Sequence, residues 1–257
     1  MGIHLFLSPH LDDAILSCGG AIHRLAQAGE RVIIVTAMAG DPLDPLPNSP
    51  LLQAINAQGG FNAAVRRAES AQAAQEVHAQ VYDLALTESA FRTTYCGAGD
   101  LIALYPTLES ALAGVNEADD ARISLFDLRL PFDEVETIYA PLCVDEHVDH
   151  QLVRDWALIL TGSTDAPGLA FYEEYPQARN QRAVGRAQAF YRHHLPALTL
   201  ESALIPLSDA DLNARLRAMR CFRSLPYNLA EMEQLTRDYL FTLGDGTPAE
   251  RFWRAVR

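Results

Sequence analysis

Two apolar runs near the start of the chain, Ile3 to Ser8 and Arg31 to Ala37, flank Ile15 to Ala28, where apolar residues recur at helical spacing. Strand, helix and strand in that order predict a β-α-β unit with its strands paired in parallel through a right-handed crossover. Such a unit commits the chain to an open α/β sheet, which receives ligands at the carboxyl ends of its strands. The first strand ends in Ser8-Pro9-His10-Leu11-Asp12-Asp13, one imidazole and two carboxylates within four residues. His10 and Asp13, three apart, can converge on one metal ion, and Asp12, pointing elsewhere from the same turn, stays free to act as a base. Taken alone, the turn fits equally well a helix start capped by Asp12 or Asp13. No G-x-G-x-x-G follows the strand; Gly19-Gly20 falls inside the helical pattern and fits close packing of helix on strand.

Asp41 to Gly60 holds four prolines and ends in Gly-Gly, the composition of a lid or an insertion. Helical periodicity returns over Phe61 to Ala79. A third strand is predicted at Val81 to Leu86, a helix over Gly99 to Gly114, and an acidic turn at Glu117 to Asp120. Thr137 to Leu142 reads as a strand and Gln151 to Leu160 as a helix; between them lies Asp145-Glu146-His147-Val148-Asp149-His150. Further on, strands are expected at Leu169 to Tyr172 and Leu198 to Leu204, and helices at Arg182 to His194, Asp209 to Ser224 and Leu229 to Leu243. No linker or repeat interrupts the 257 residues, so a single α/β domain over 1–257 is expected.

The second histidine cluster, like the first, stands between a strand end and a helix. In a parallel sheet such ends face one side, so the two clusters can meet. A hydrolytic zinc site needs about three protein ligands and an open position for water, whose pKa the ion lowers to about 7. His10, Asp13 and one of His147 and His150 supply that set. Asp12 can then accept a proton, the remaining histidine can stabilise an oxyanion, and Asp149 can orient a histidine. The mixed nitrogen and oxygen set would also accept Fe2+ or another divalent transition metal.

The bulk composition excludes several alternatives. Net charge is −13 and there is no lysine, which argues against nucleic acid or an anionic membrane as partner and removes P-loop and Schiff-base chemistry. Cys18, Cys96, Cys143 and Cys221 are widely spaced and read as small hydrophobes in a reducing compartment. No apolar run approaches the roughly 20 residues of a membrane span, and the N-terminus lacks a basic leader, so no membrane insertion and a cytoplasmic location are expected. His193-His194 reads as a solvated pair at a helix end.

His10-Leu11-Asp12-Asp13-Ala14, with Cys18-Gly19-Gly20 and His147-Val148-Asp149-His150, resembles the zinc-dependent N-acetylglucosaminyl deacetylases of the PIG-L/LmbE family, with their (A/P)-H-P-D-D-(A/E)…G-G and H-P-D-H patterns. The resemblance implies a Rossmann-like, mostly parallel sheet flanked by helices on both faces. It also implies Zn2+ on His10, Asp13 and His150, Asp12 as general base, and His147 as electrostatic stabiliser or general acid. The implied reaction is removal of an N-acetyl group from an amino sugar or glycoconjugate. Arg66 with Glu69 matches the family's R-x-x-E, whose arginine reaches the sugar, and Glu88 to Arg92 falls at a turn whose acid contacts sugar hydroxyls. Arg66, Glu88 and Arg92 are therefore the expected substrate-binding residues. From the residues alone, Arg66 and Glu69 fit an i,i+3 ion pair and Glu88 a surface turn. Leu11 and Val148 stand where the family has proline, which leaves both turns to be held by packing. Relatives include a hydratase of unsaturated di- or tricarboxylic acids, for which Arg66 and Arg92 would also suit, and many self-associate, so a homo-oligomer is an open expectation.

Overall fold

The computed structural model describes residues 2–163 and 166–256. β1 (Ile3–Ser8) leads through a tight turn into α1 (Asp13–Gln27), and β2 (Arg31–Thr36) returns in parallel beside β1, Ile3 opposite Arg31 and Ser8 opposite Thr36. The proline-rich stretch after β2 contains a helix, α2 (Pro50–Ala57), with proline in its first turn and Ser49 capping the Leu52 N–H. α3 (Ala63–Glu76), capped by Asn62, precedes β3 (Gln80–Asp83), which pairs in parallel with β2.

The helix expected over Gly99 to Gly114 does not form. The segment completes a hairpin of β4 (Thr93–Tyr95) and β5 (Leu101–Ala103), followed by the four-residue α4 (Leu108–Ala111). Gly99 turns the hairpin at a left-handed φ of 85°, and Pro106 pushes its predecessor toward extended backbone, so a helix starts only once Thr107 caps it. The acidic turn opens α5 (Asp120–Phe126), with Asp119 as cap. β6 (Val135–Pro141), α6 (Val148–Leu160), β7 (Gly168–Tyr172), α7 (Gln181–His194), β8 (Thr199–Pro206), α8 (Asp209–Met219), α9 (Leu229–Leu243) and β9 (Ala249–Val256) follow. α8 stops short of the expected Ser224.

The strands form one sheet in the order β3-β2-β1-β6-β7-β9-β8. The first five are parallel; β9 is antiparallel to both β7 and β8. Alternate side chains of β1 divide the core. Phe6 joins residues of α1, α3, α8 and α9 on one face, and Leu5 and Leu7 join residues of α5, α6 and α7 on the other. This is the mostly parallel α/β sheet flanked by helices on both faces that the sequence predicts. From β1 the chain first adds β2 and β3 on one side, then crosses to β6 on the other. The crevice between the carboxyl ends of β1 and β6 is thus the switch point where open α/β sheets bind ligands. No described helix is long and apolar enough to cross a membrane. Cys18, Cys143 and Cys221 are buried, Cys96 is half-buried, and all four are free thiols. His193 and His194 are exposed in the last turn of α7.

Gly19 and Gly20 let α8 and the start of β9 approach α1 closely. A Cβ on Gly19 would lie 2.9 Å from Cγ and 3.3 Å from Cα of Arg215, and one on Gly20 would meet Leu207 at 2.6 Å. The close partner is thus another helix as well as a strand. Arg215, buried with Glu250, donates to Glu250 Oε1 at 2.7 Å and to the Leu16 carbonyl, while Glu250 accepts from Gly20 N and Ala21 N at 2.9 and 2.8 Å. Burial raises the Glu250 pKa although Arg215 opposes it. Removing either partner would strand a buried charge at a cost of about 3–5 kcal/mol.

Two glycine substitutions in helices are expected to have opposite signs. Gly19→Ala should destabilise by about 1–3 kcal/mol because its contact is the stem of Arg215 and not a flexible tip. Gly185→Ala in α7, with nothing within 4 Å of the added Cβ, should stabilise by about 0.5–1 kcal/mol. Urea unfolding of both variants checks this.

Candidate metal centre

Two loops meet at the switch point, one after β1 and one after β6. In the first, Ser8 Oγ donates to the His10 carbonyl at 2.5 Å and accepts from Ala14 N at 3.0 Å, so a residue of the strand caps the start of α1. Asp12 occupies the N-cap position but makes no capping bond. Asp13 accepts from His10 N at 2.8 Å, which folds its carboxylate back over the turn. In the second loop Cys143 and Glu146 take left-handed φ values of 65° and 63°, unusual for residues bearing a Cβ. The Glu174 carboxylate, just beyond β7, stabilises this loop by accepting from Cys143 N and Val144 N at 2.6 and 3.1 Å. Leu11 and Val148, which replace the family's prolines, are fully buried and hold the turns by packing.

These loops bring His10, Asp13, His147 and His150 together. Asp13 Oδ2 lies 3.1 Å from His10 Nδ1 and 3.4 Å from His150 Nε2. Ring nitrogens of His10, His147 and His150 all fall within 4.8 Å of one another. The other nitrogen of each of two histidines meets a buried carboxylate: His10 Nε2 lies 2.9 Å from Asp149 Oδ2, and His150 Nδ1 lies 3.1 Å from Glu174 Oε1. Imidazoles that hold a metal commonly have this outer carboxylate, which fixes the tautomer and raises ligand basicity. The residues present therefore fit a divalent transition metal on His10, Asp13 and His150, with His147 within reach.

The electrostatics point the same way. Burial opposes charge on His10, yet Asp13 and Asp149 lift its pKa to about 10. Burial likewise opposes charge on His150, and Asp13 and Asp145 raise its pKa well above the usual value. Asp13 would be raised by burial but is held well below the carboxylate range by His150 and His10. Asp149, fully buried, is held lower still by Arg92 and His10. The pocket is thus built to surround positive charge, and a metal ion would take the place of protons on the imidazoles. Burial lowers the His147 pKa to about 4, so its ring is neutral at pH 7. Its Nδ1 accepts from Asp149 N at 3.3 Å, which leaves the ring proton on Nε2.

Arg66 and Glu88 stand beside Asp12. Arg66 Nη2 lies 2.8 Å from Asp12 Oδ1 and Nη1 lies 2.7 Å from Glu88 Oε1, with the guanidinium over the Phe61 ring. Burial raises the Asp12 pKa, against the pull of Arg66. The alternative pair does not form: Glu69 binds Ser224 instead of Arg66. Arg92 is buried, with Nε on the Thr87 carbonyl at 3.0 Å and its terminal nitrogens on Asp119 and Asp149. Asp119 also accepts from Tyr105 at 2.8 Å. Ser8, Asp119, Tyr105 and Glu174 were not singled out by the sequence. Glu174 carried a signal, being an acid at the carboxyl end of a parallel strand on the edge that holds both histidine clusters.

Residues 5–160, which include both loops, match the family model described as PIG-L, GlcNAc-PI de-N-acetylase. The chain belongs to the PIG-L family. No curated protein sequence matches significantly. Among solved structures, a deacetylase of the teicoplanin biosynthesis pathway has a TM-score of 0.78 at 22% identity, covering 99% of this chain and 98% of that one. The deacetylase of the antimicrobial A40926 pseudoaglycone has a TM-score of 0.72 at 18% identity, covering 99% and 97%. A 4-carboxy-2-hydroxymuconate hydratase from Pseudomonas putida has 0.61 at 15%, covering 100% and 97%. At these identities the likeness establishes the fold, and PIG-L chemistry must be argued from the site itself.

Because His10 and His150 must lose protons to a metal, binding of Zn2+ should release protons and weaken as pH falls below neutrality, read by calorimetry in buffers of different ionisation enthalpy. Glu174→Gln should lower Zn2+ affinity by roughly 10–100-fold in a competition titration with a chelator.

Proposed function

We propose that the protein is a metal-dependent N-deacetylase that removes the acetyl group from an amino sugar or glycoconjugate, with zinc as its metal and residues 1–257 acting as one domain. The observation that carries this reading is the division of labour in the turn after β1. Asp13 faces His10 and His150, while Asp12, unused as a cap, is held apart on Arg66. A binding module has no need of that second carboxylate.

His10, Asp13 and His150 would hold the metal. Once bound, the metal would polarise the acetyl carbonyl and acidify a water. Asp12 accepts the proton of the attacking water, and its raised pKa brings it closer to the working pH of a base. The same carboxyl then returns the proton to the leaving nitrogen as the C–N bond breaks, giving acetate and a free amine. His147 donates its Nε2–H to the developing oxyanion as a neutral ring. Asp149 orients His10, and Arg92 secures Asp149 and makes no contact with substrate. Arg66 and Glu88 line the sugar side of Asp12.

The hydratase reading is weaker on charge grounds. A substrate with two or three carboxylates needs cations to receive it, yet Arg66 is already shared by Asp12 and Glu88, and Arg92 by Asp119 and Asp149.

Zinc-loaded protein is expected to release acetate from N-acetylglucosamine conjugates. Asp12→Asn should lower that turnover by about 10²–10⁴-fold while keeping its metal. Wild-type turnover in this variant would remove Asp12 from its role. Addition of water to an unsaturated dicarboxylate without acetate release would favour the hydratase.

A further inference from the structure

Arg66 and Glu69 lie on one face of α3, a turn apart, yet they serve different neighbours. Arg66 reaches Asp12 and Glu88. Glu69 accepts from Ser224 N at 3.0 Å and from Ser224 Oγ at 2.5 Å, in the segment that joins α8 to α9. That segment lies outside the residues matched by the family model. Phe222 is buried in the core, and Leu225 packs against the same core, so the segment is rooted on both sides of Ser224.

Three residues beyond Ser224, Tyr227 is 42% exposed, a large aromatic side chain left open. After burial, the charges that act most on its phenol are Asp12, Asp13, Arg66 and Asp145, and together they raise its pKa. The ring therefore stands over the centre, beside charged groups that can bind hydroxyls. A pyranose needs both surfaces, because its C–H face is apolar and its rim carries hydroxyl groups.

We propose that Tyr227 is the aromatic wall of the sugar subsite, its ring lying against the C–H face of the amino sugar, and that Glu69 is a positioning residue that holds it there through Ser224. This rests on the reading of the protein as an amino-sugar N-deacetylase. It assigns a specificity residue to the C-terminal third and gives the Glu of the R-x-x-E spacing a task of its own. Carboxylate hydrogen bonds to both N–H and O–H of one serine fix the segment at two atoms, which a single neutral bond would not do.

Steady-state kinetics on an N-acetylglucosamine glycoside test the proposal. Tyr227→Ala should raise KM about tenfold, with a smaller effect on kcat, and Tyr227→Phe should stay within about twofold of wild type. Glu69→Ala should raise KM in the same direction, and Glu69→Gln, still able to accept from Ser224 N, should recover most of the loss. Thermal melting of each variant separates these effects from unfolding. An unchanged KM in Tyr227→Ala, or a loss in Tyr227→Phe as large as in Tyr227→Ala, would overturn the inference. Wild-type protein that releases acetate from no amino sugar would instead overturn the functional reading, and would do so before any substitution is made.

Discussion

Asp149 is a charged group with no access to water, and the site is arranged around making that tolerable. One oxygen takes the Arg92 guanidinium; the other takes His10 Nε2 and Ser89 N at 2.9 and 3.0 Å. An unpaired buried carboxylate would be prohibitively costly, so each partner is obligatory. Through these bonds the α6 loop is tied to the β1 loop across 139 residues of sequence. Arg92 extends the network to Asp119 and Tyr105, which links the irregular stretch around the β4–β5 hairpin to the centre. Glu174 does the same for β7, reaching the backbone of the second loop and His150 together. Rigid positioning of the inward nitrogens of His10 and His150 follows from their outward nitrogens being held.

Much of this was legible in the chain. β1 and α9 have the expected limits, and α1, β2 and β6 differ by only a few residues at their ends, because apolar periodicity is strong there. The two motif loops meet because parallel strands with right-handed crossovers place their ends on one edge. What escaped depends on long-range pairing. β9 alternates plainly over Glu250-Arg251-Phe252-Trp253, but its insertion between β7 and β8 is set by partners far away in sequence. The hairpin after Arg92 was hidden by apolar residues at helical spacing that Gly99 and Pro106 override.

Arginine placement taught a similar lesson. Spacing alone pairs Arg66 with Glu69, since an i,i+3 pair is the nearest neutralisation available to an isolated helix. In the fold both side chains find partners beyond their own helix, and the local pair is abandoned. Gly19-Gly20 was readable as a close-approach signal, but not which element approaches, because Arg215 and Glu250 come from the far end of the chain. Leu11 and Val148 show that a turn fixed by proline in relatives can be fixed instead by burial.

The central claim is that two adjacent aspartates in one turn face different ways, Asp13 toward a metal and Asp12 away from it. Anomalous diffraction from zinc-soaked crystals tests it directly. The account predicts an ion at about 2.0–2.2 Å from His10, Asp13 and His150, with Asp12 outside the coordination sphere and still on Arg66. An ion bound instead by Asp145, His150 and Glu174, the neighbouring group of donors, or one ligated by Asp12, would contradict it.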